Sequence, residues 1–243
     1  MLSARGANGS VRAVWLRSAG AWRPRKIKED IMLDPRAERL ADILVNYSVR
    51  VQPGENVLIQ DTGIEPAFDR ALVRAVHKAG GRAFVTLRDK TLDRELLMDA
   101  PPEQVELQAE FERQRMSQMQ CYIGYSAIRN MNAMGDVPGD KMDLYNKNIW
   151  KKVHIDTRLP GTRWVVLRYP TAAMAQMAGM SEDAFERFYF DVCTMDYARM
   201  SAAMDPLVKI LAATDRVRIV GPGTDLSFSI KGLPPVKCDG KLN

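Results

Sequence analysis

The feature that most constrains this chain is a strand–helix–strand unit spanning residues 56–87. Just before it, Val51-Gln-Pro-Gly-Glu55 reads as a turn, because Pro53 fixes φ and Gly54 accepts positive φ. Residues 56–60 then read as a short buried strand. Residues 65–79 read as a helix with Phe68, Leu72, Ala75, Val76 and Ala79 on one face. Gly80-Gly81 ends that helix, and residues 82–87 return as a second strand. A βαβ unit of about 30 residues implies a right-handed crossover between parallel strands of one sheet.

The rest of the chain extends this pattern. Asp34-Pro35 supplies an N-cap and a Pro at the first helical position, opening an amphipathic helix to about Ser48. A long helix is expected over residues 103–118, a third strand over 119–125 and an irregular Asn- and Met-rich stretch over 126–134. A helix over 140–153 and a fourth strand over 162–169 follow. Pro170-Thr171 caps an Ala/Met-rich helix, and residues 181–213 read as helix interrupted at Asp205-Pro206. Residues 217–220 and 226–230 are two strands joined by Gly221-Pro-Gly-Thr-Asp225, spaced for a hairpin. The fold class expected is α/β: an N-terminal open, largely parallel sheet flanked by helices, followed by the first strands of a second, truncated domain. The boundary is expected near residue 214, where alternating β and α give way to adjacent strands. If those strands lack further partners, the hairpin should leave its edges open.

Charge is unevenly placed. Residues 1–31 hold seven basic and two acidic side chains, which accounts for the whole net charge of +5; the remainder carries 28 of each sign. The body therefore lacks the cationic excess that nucleic-acid binding through phosphates requires, and no nucleic-acid partner is expected. The Arg-rich leader has the composition of an organelle transit peptide. The favoured alternative is a start assigned too far upstream, since Met32 is followed at once by a well-formed helix start. The domains expected are thus a basic extension over 1–31, an α/β domain over 32–213 and an incomplete second domain over 214–243. No stretch approaches the about 18 apolar residues of a membrane span, so no membrane partner is expected. Cys121, Cys193 and Cys238 form neither a disulfide framework nor a zinc pattern. They are expected to be buried or half-buried thiols in a reducing, cytoplasmic compartment.

Chemistry-bearing motifs are few. His77 lies near a helix end, where imidazolium suits the helix dipole. His154-Ile155-Asp156 has a spacing that serves metal sites, but no third ligand lies nearby and a zinc site needs three protein ligands. Glu103, Glu106 and Glu110, with Arg113, read as a solvated helix face. Met174, Met177 and Met180 read as core filler. After the first strand stands Asp61-Thr-Gly-Ile-Glu-Pro66, with one glycine where a dinucleotide fold would place Gly-x-Gly-x-x-Gly. Neither a phosphate loop nor a nucleophile elbow is present, so no catalytic, cofactor-binding or metal-ligating residue is assigned.

Three ordered blocks carry a resemblance: Asn46-Tyr-Ser-Val-Arg-Val-Gln-Pro-Gly-Glu-Asn-Val-Leu-Ile59, Thr162-Arg-Trp-Val-Val-Leu-Arg-Tyr-Pro-Thr171 and Gly221-Pro-Gly-Thr-Asp-Leu-Ser-Phe228. From Met32 to Asn243 the chain resembles the N-terminal part of the thermophilic-type metalloaminopeptidases, the aminopeptidase T and aminopeptidase S family. The resemblance implies a peptide-cleaving hydrolase, homodimeric when full length, with two divalent metals per subunit of zinc, cobalt or magnesium type. A metal-bridged water would attack the first peptide carbonyl. It also implies that the first glutamate ligand lies a few residues beyond the segment matching Cys238–Asn243, so this chain alone is expected to be inactive. The alternative is a non-catalytic α/β module that binds a small ligand or partner.

Overall fold

A computed structural model describes residues 34–241; the basic extension over 1–31 lies outside the described residues. Helix α1, Pro35–Asp42, starts where the Asp34 carboxylate accepts the Arg36 N–H at 2.8 Å. It runs on as a wider π-helical segment, Ile43–Ser48. Then come β1 (Asn56–Thr62), α2 (Pro66–Lys78) and β2 (Arg82–Arg88). The end of α2 shows why the Gly pair belongs there. Gly80 takes φ +81°, its N–H reaches the His77 carbonyl, and the Gly81 N–H reaches the Val76 carbonyl, both at 3.0 Å. Phe68, Leu72 and Val76 form the fully buried stripe of α2.

Two helices follow β2: α3 (Lys90–Met98) and α4 (Pro102–Met116). The first was not anticipated from the sequence; the Asp89 carboxylate caps it by accepting the Thr91 and Leu92 N–H groups. Strand β3 (Cys121–Ser126) leads through an irregular stretch to α5 (Gly139–Tyr145). That helix continues as a π-helical segment, Asn146–Arg158, and a last turn, α6 (Leu159–Gly161). After β4 (Arg163–Arg168) come α7 (Ala172–Met177), α8 (Glu182–Cys193) and α9 (Tyr197–Ala213).

All four strands are parallel, in the order β2-β1-β3-β4. Right-handed crossovers then decide which face each helix covers. The β1-to-β2 step puts α2 on one face, where α1 and α8 join it over Val57, Ile59, Cys121, Ile123 and Val165. The step back past β1 to β3, and on to β4, puts α4 and the π-helical segment on the other. There Met116, Val153 and Tyr122 pack over Leu58. The open, parallel, helix-flanked sheet read from the sequence is the fold observed.

Two expectations change. The break in the last long helix falls at Thr194–Asp196, not at Asp205-Pro206, because the Asp196 carboxylate caps a new helix by accepting the Arg199 N–H at 2.9 Å. Pro206 lies inside α9. Of the methionines read as core filler, Met174 in α7 is half-buried, whereas Met177 at the end of α7 is 70% exposed and Met180 beyond it 38% exposed. This six-residue helix buries only Ala175.

Strands β5 (Arg216–Gly221) and β6 (Thr224–Ser229) form the expected hairpin around Pro222-Gly223, with Gly223 at φ +70°. Among the described residues they pair only with each other. Ile219, Val220, Leu226 and Phe228 are exposed.

One glycine is irreplaceable in this frame. Gly63, just after β1, has φ +126°, and a Cβ there would lie 2.4 Å from the carbonyl carbon and oxygen of Ala127. Gly63→Ala is expected to cost more than about 2 kcal/mol in urea unfolding. Gly139→Ala, where nothing lies within 4 Å of the new methyl, should stay within about 0.5 kcal/mol of wild type. Equal effects would contradict this account of the β1–β3 junction.

Candidate functional site

In an open α/β sheet, ligands bind beyond the carboxyl ends of the strands where the strand order reverses, here between β1 and β3. The residues at that point are Asp61 and Thr62 from β1, the turn Gly63-Ile64-Glu65, and Tyr125 and Ser126 from β3. Asp61 is fully buried. Its carboxylate accepts the Ile64 N–H at 3.1 Å and the Glu65 N–H beside it. Two successive N–H groups at the entrance to α2 form a concave anion seat of the kind that holds phosphates. Here the chain fills the seat with its own carboxylate. Ile64 takes φ +62°, a conformation costing on the order of 1–3 kcal/mol for a non-glycine residue. The two hydrogen bonds to Asp61 offset that strain. Gly63 against Ala127 closes the crevice from the side.

A second carboxyl group lies behind the first. Asp69, one turn into α2, accepts the Tyr125 hydroxyl at 2.8 Å and is buried; the Tyr125 ring in turn packs edge-on against Phe68. Burial lifts its pKa to about 7; the hydrogen bond from Tyr125 opposes this, and the neighbouring Asp61 and Glu65 charges reinforce it. Burial likewise raises Glu65, against the attraction of Arg129.

On the opposite face a cleft of about 500 Å³ opens between α3, α4, α5 and the end of β2. Its charged wall is built around Arg88, the last residue of β2. Arg88 reaches Asp93 at 3.1 Å and Glu112 at 3.2 Å, and Lys90 reaches Asp93 at 3.3 Å. Burial alone would lower the Arg88 pKa, but Glu112 and Asp93 more than compensate and hold the guanidinium charged. Leu92, Leu96, Leu97, Val105, Met142 and Ile149 make the rest apolar. The sequence reading assigned none of these residues. The signal was the charged run Arg88-Asp-Lys-Thr-Leu-Asp93 directly after a parallel strand.

The histidines do not converge. His77 is exposed at the end of α2. His154 is buried, and its Nδ1 accepts the Arg158 Nε–H at 3.2 Å; Asp156 faces solvent and pairs with Lys151 at 2.7 Å. Burial, followed by the nearby Arg158, Arg88 and Lys90 charges, pushes the His154 pKa down to about 4, which keeps the ring neutral. The Arg158 guanidinium lies over Trp164, 4.4 Å from the ring centroid, and over Tyr122 at 5.0 Å. Of the thiols, Cys121 is buried, which moves its pKa up to about 12, and Cys193 is half-buried; Cys238, against expectation, is exposed. Glu103, Glu106 and Glu110 form the solvated face expected of them, with Glu110 2.7 Å from Arg113.

Fold and strand-end geometry define an α/β domain whose usual phosphate position is closed by its own aspartate. The profile of the thermophilic metalloprotease family, M29, matches residues 33–232, and the chain belongs to that family. Its fold is similar to that of wild-type AmpT from Thermus thermophilus, with a TM-score of 0.66 at 18% identity, over 86% of this chain. The chain spans 59% of the length of that structure. An alcohol dehydrogenase superfamily protein from Novosphingobium aromaticivorans matches over 72% of this chain and 50% of its own, at 15% identity; its TM-score of 0.26 is too low to support any argument. No curated protein sequence matches the chain.

The Asp69 environment sets a pH dependence. A carboxyl group that titrates near 7 when folded and near about 3.9 when unfolded makes the folded state the better proton binder between those values. Stability from this group is therefore present below about pH 4, lost as pH rises towards 7, and level above that. Asp69→Asn should abolish this slope, gaining on the order of 3 kcal/mol relative to wild type between pH 4 and pH 8 in urea unfolding. Parallel profiles for the two proteins would contradict the assignment.

Proposed function

We propose that this chain carries the N-terminal α/β domain of a metal-dependent aminopeptidase, an enzyme that removes N-terminal residues from peptides. The observation that carries the reading is the family match across residues 33–232, and the likeness in fold to AmpT supports it. The family implies a divalent metal, so the carboxylates present must be tested against one. Among the described residues no three His, Cys, Asp or Glu side chains converge on a common point. The nearest approach, Asp61 with Asp69, is a poor donor pair. Asp61 is committed to two backbone N–H groups, and Asp69 is engaged by Tyr125 and disfavoured as a charge by burial. These residues do not fit a catalytic metal, and no hydrolytic step can be assigned to them.

On this reading peptides are the substrates, and two ions of zinc, cobalt or magnesium type bind each subunit of a full-length homodimer. The open hairpin β5–β6 is where the metal-bearing domain begins, and free thiols at Cys121 and Cys193 suit a cytoplasmic setting. No helix among the described residues is long and apolar enough to cross a membrane. A second reading, a non-catalytic module for a small ligand, draws on the cleft beside Arg88.

The purified chain, supplied with zinc, cobalt or magnesium and a leucine anilide, is expected to release no product above the enzyme-free rate. Robust release that a chelator abolishes would overturn the proposal that this polypeptide lacks its own metal site.

A further inference from the structure

The cleft beside Arg88 is built for one chemical class. Its charged wall carries two cations, Arg88 and Lys90, and three carboxylates, Asp89, Asp93 and Glu112. Asp89 is committed to the start of α3, where it accepts the Thr91 and Leu92 N–H groups; the remaining two cations and two carboxylates present both signs and suit a ligand that brings both. The wall has spare capacity in both senses. Lys90 has three ammonium protons, and among the described residues one of them is engaged, by Asp93. The Glu112 carboxylate accepts only long contacts from Arg88, at 3.2 and 3.3 Å, together with Gln108 at 2.7 Å, leaving lone pairs free. Thr86 and Tyr145 also line the cleft. Beyond this polar edge, Leu96, Val105, Met142 and Ile149 offer apolar surface, and the volume of about 500 Å³ lies in the range of small-molecule sites.

We propose that this cleft binds a zwitterion with an apolar side chain, a free hydrophobic amino acid or a short hydrophobic peptide. The ligand carboxylate lies on Lys90, its ammonium on Glu112, and its side chain against Leu96, Val105 and Met142. Binding here needs no catalysis by the chain, so the proposal stands or falls separately from the peptidase reading.

Isothermal titration calorimetry of the full chain tests it, using L-leucine, leucyl-leucine, glycylglycine and N-acetyl-leucinamide. Saturable one-to-one binding is expected for one or both leucine zwitterions, and which of the two binds tighter decides between amino acid and peptide. Glycylglycine, without the side chain, and N-acetyl-leucinamide, without the charges, should each bind at least about tenfold more weakly. Lys90→Ala and Leu96→Glu, the first on the half-buried charged edge and the second 61% exposed, should each weaken leucine-zwitterion binding by about tenfold or more. Thermal melts would confirm that both variants fold. No saturable heat with either leucine zwitterion up to about ten millimolar would overturn the proposal. So would N-acetyl-leucinamide or glycylglycine binding as tightly as leucine or leucyl-leucine, or undiminished binding by either folded variant.

Discussion

The hydrogen bonds from the Ile64 and Glu65 N–H groups to the buried Asp61 carboxylate govern what this fold can do. A buried charge without partners would destabilise the protein by several kcal/mol, but one seated on oriented backbone donors at a helix entrance is held in place. The seat exists because Ile64 is forced to positive φ, and Ile64 tolerates that because the carboxylate draws both N–H groups inward. Gly63 makes the turn possible by letting the β1 turn lie directly on the backbone after β3. The end of β1, the turn and the entrance to α2 are therefore tied together by one side chain.

The consequence is a division of labour between the two faces of the sheet. At the β1–β3 reversal, where a doubly wound fold ordinarily receives a phosphate, the position is held by the chain itself. The open volume lies at the end of β2, on the face covered by α4 and the π-helical segment, with Ile64 of the switch-point turn among its lining residues. The charges there belong to a paired network around Arg88, not to isolated groups. Among the described residues neither region offers the converging set of donors a catalytic metal needs, although the chain belongs to the thermophilic metalloprotease family.

The sheet was legible because local signals and global order agree. Pro53-Gly54, Pro66 and Gly80-Gly81 punctuate β1, α2 and β2 at their true ends, and the right-handed rule supplies the topology. The helix break was misplaced because Pro206 looked decisive, whereas a capping aspartate at 196 sets the boundary and the proline is accommodated within α9. Helix α3 is nine residues long and was hidden between a strand and a Pro-Pro pair, with Asp89 as its only strong mark. Missing α3 meant missing the cleft. Lys90 and Asp93 stand in α3 and Arg88 just before it, and their partner Glu112 lies in a helix whose charges read as solvent-facing. Only tertiary packing brings the two together. The buried pair Asp61 and Asp69 was unreadable for a similar reason: the turn 61–66 was recognised only for the glycines it lacks.

Native-state hydrogen exchange of the Ile64 and Glu65 amides tests most directly whether Asp61 organises this end of the sheet. If the carboxylate caps both donors inside the folded core, the two amides should exchange as slowly as the central amides of β1 and lose that protection selectively in Asp61→Ala. Exchange at the rate of an exposed loop in the wild-type protein would contradict the account. It would mean that the seat stands open to solvent and that the switch-point crevice is free for a ligand.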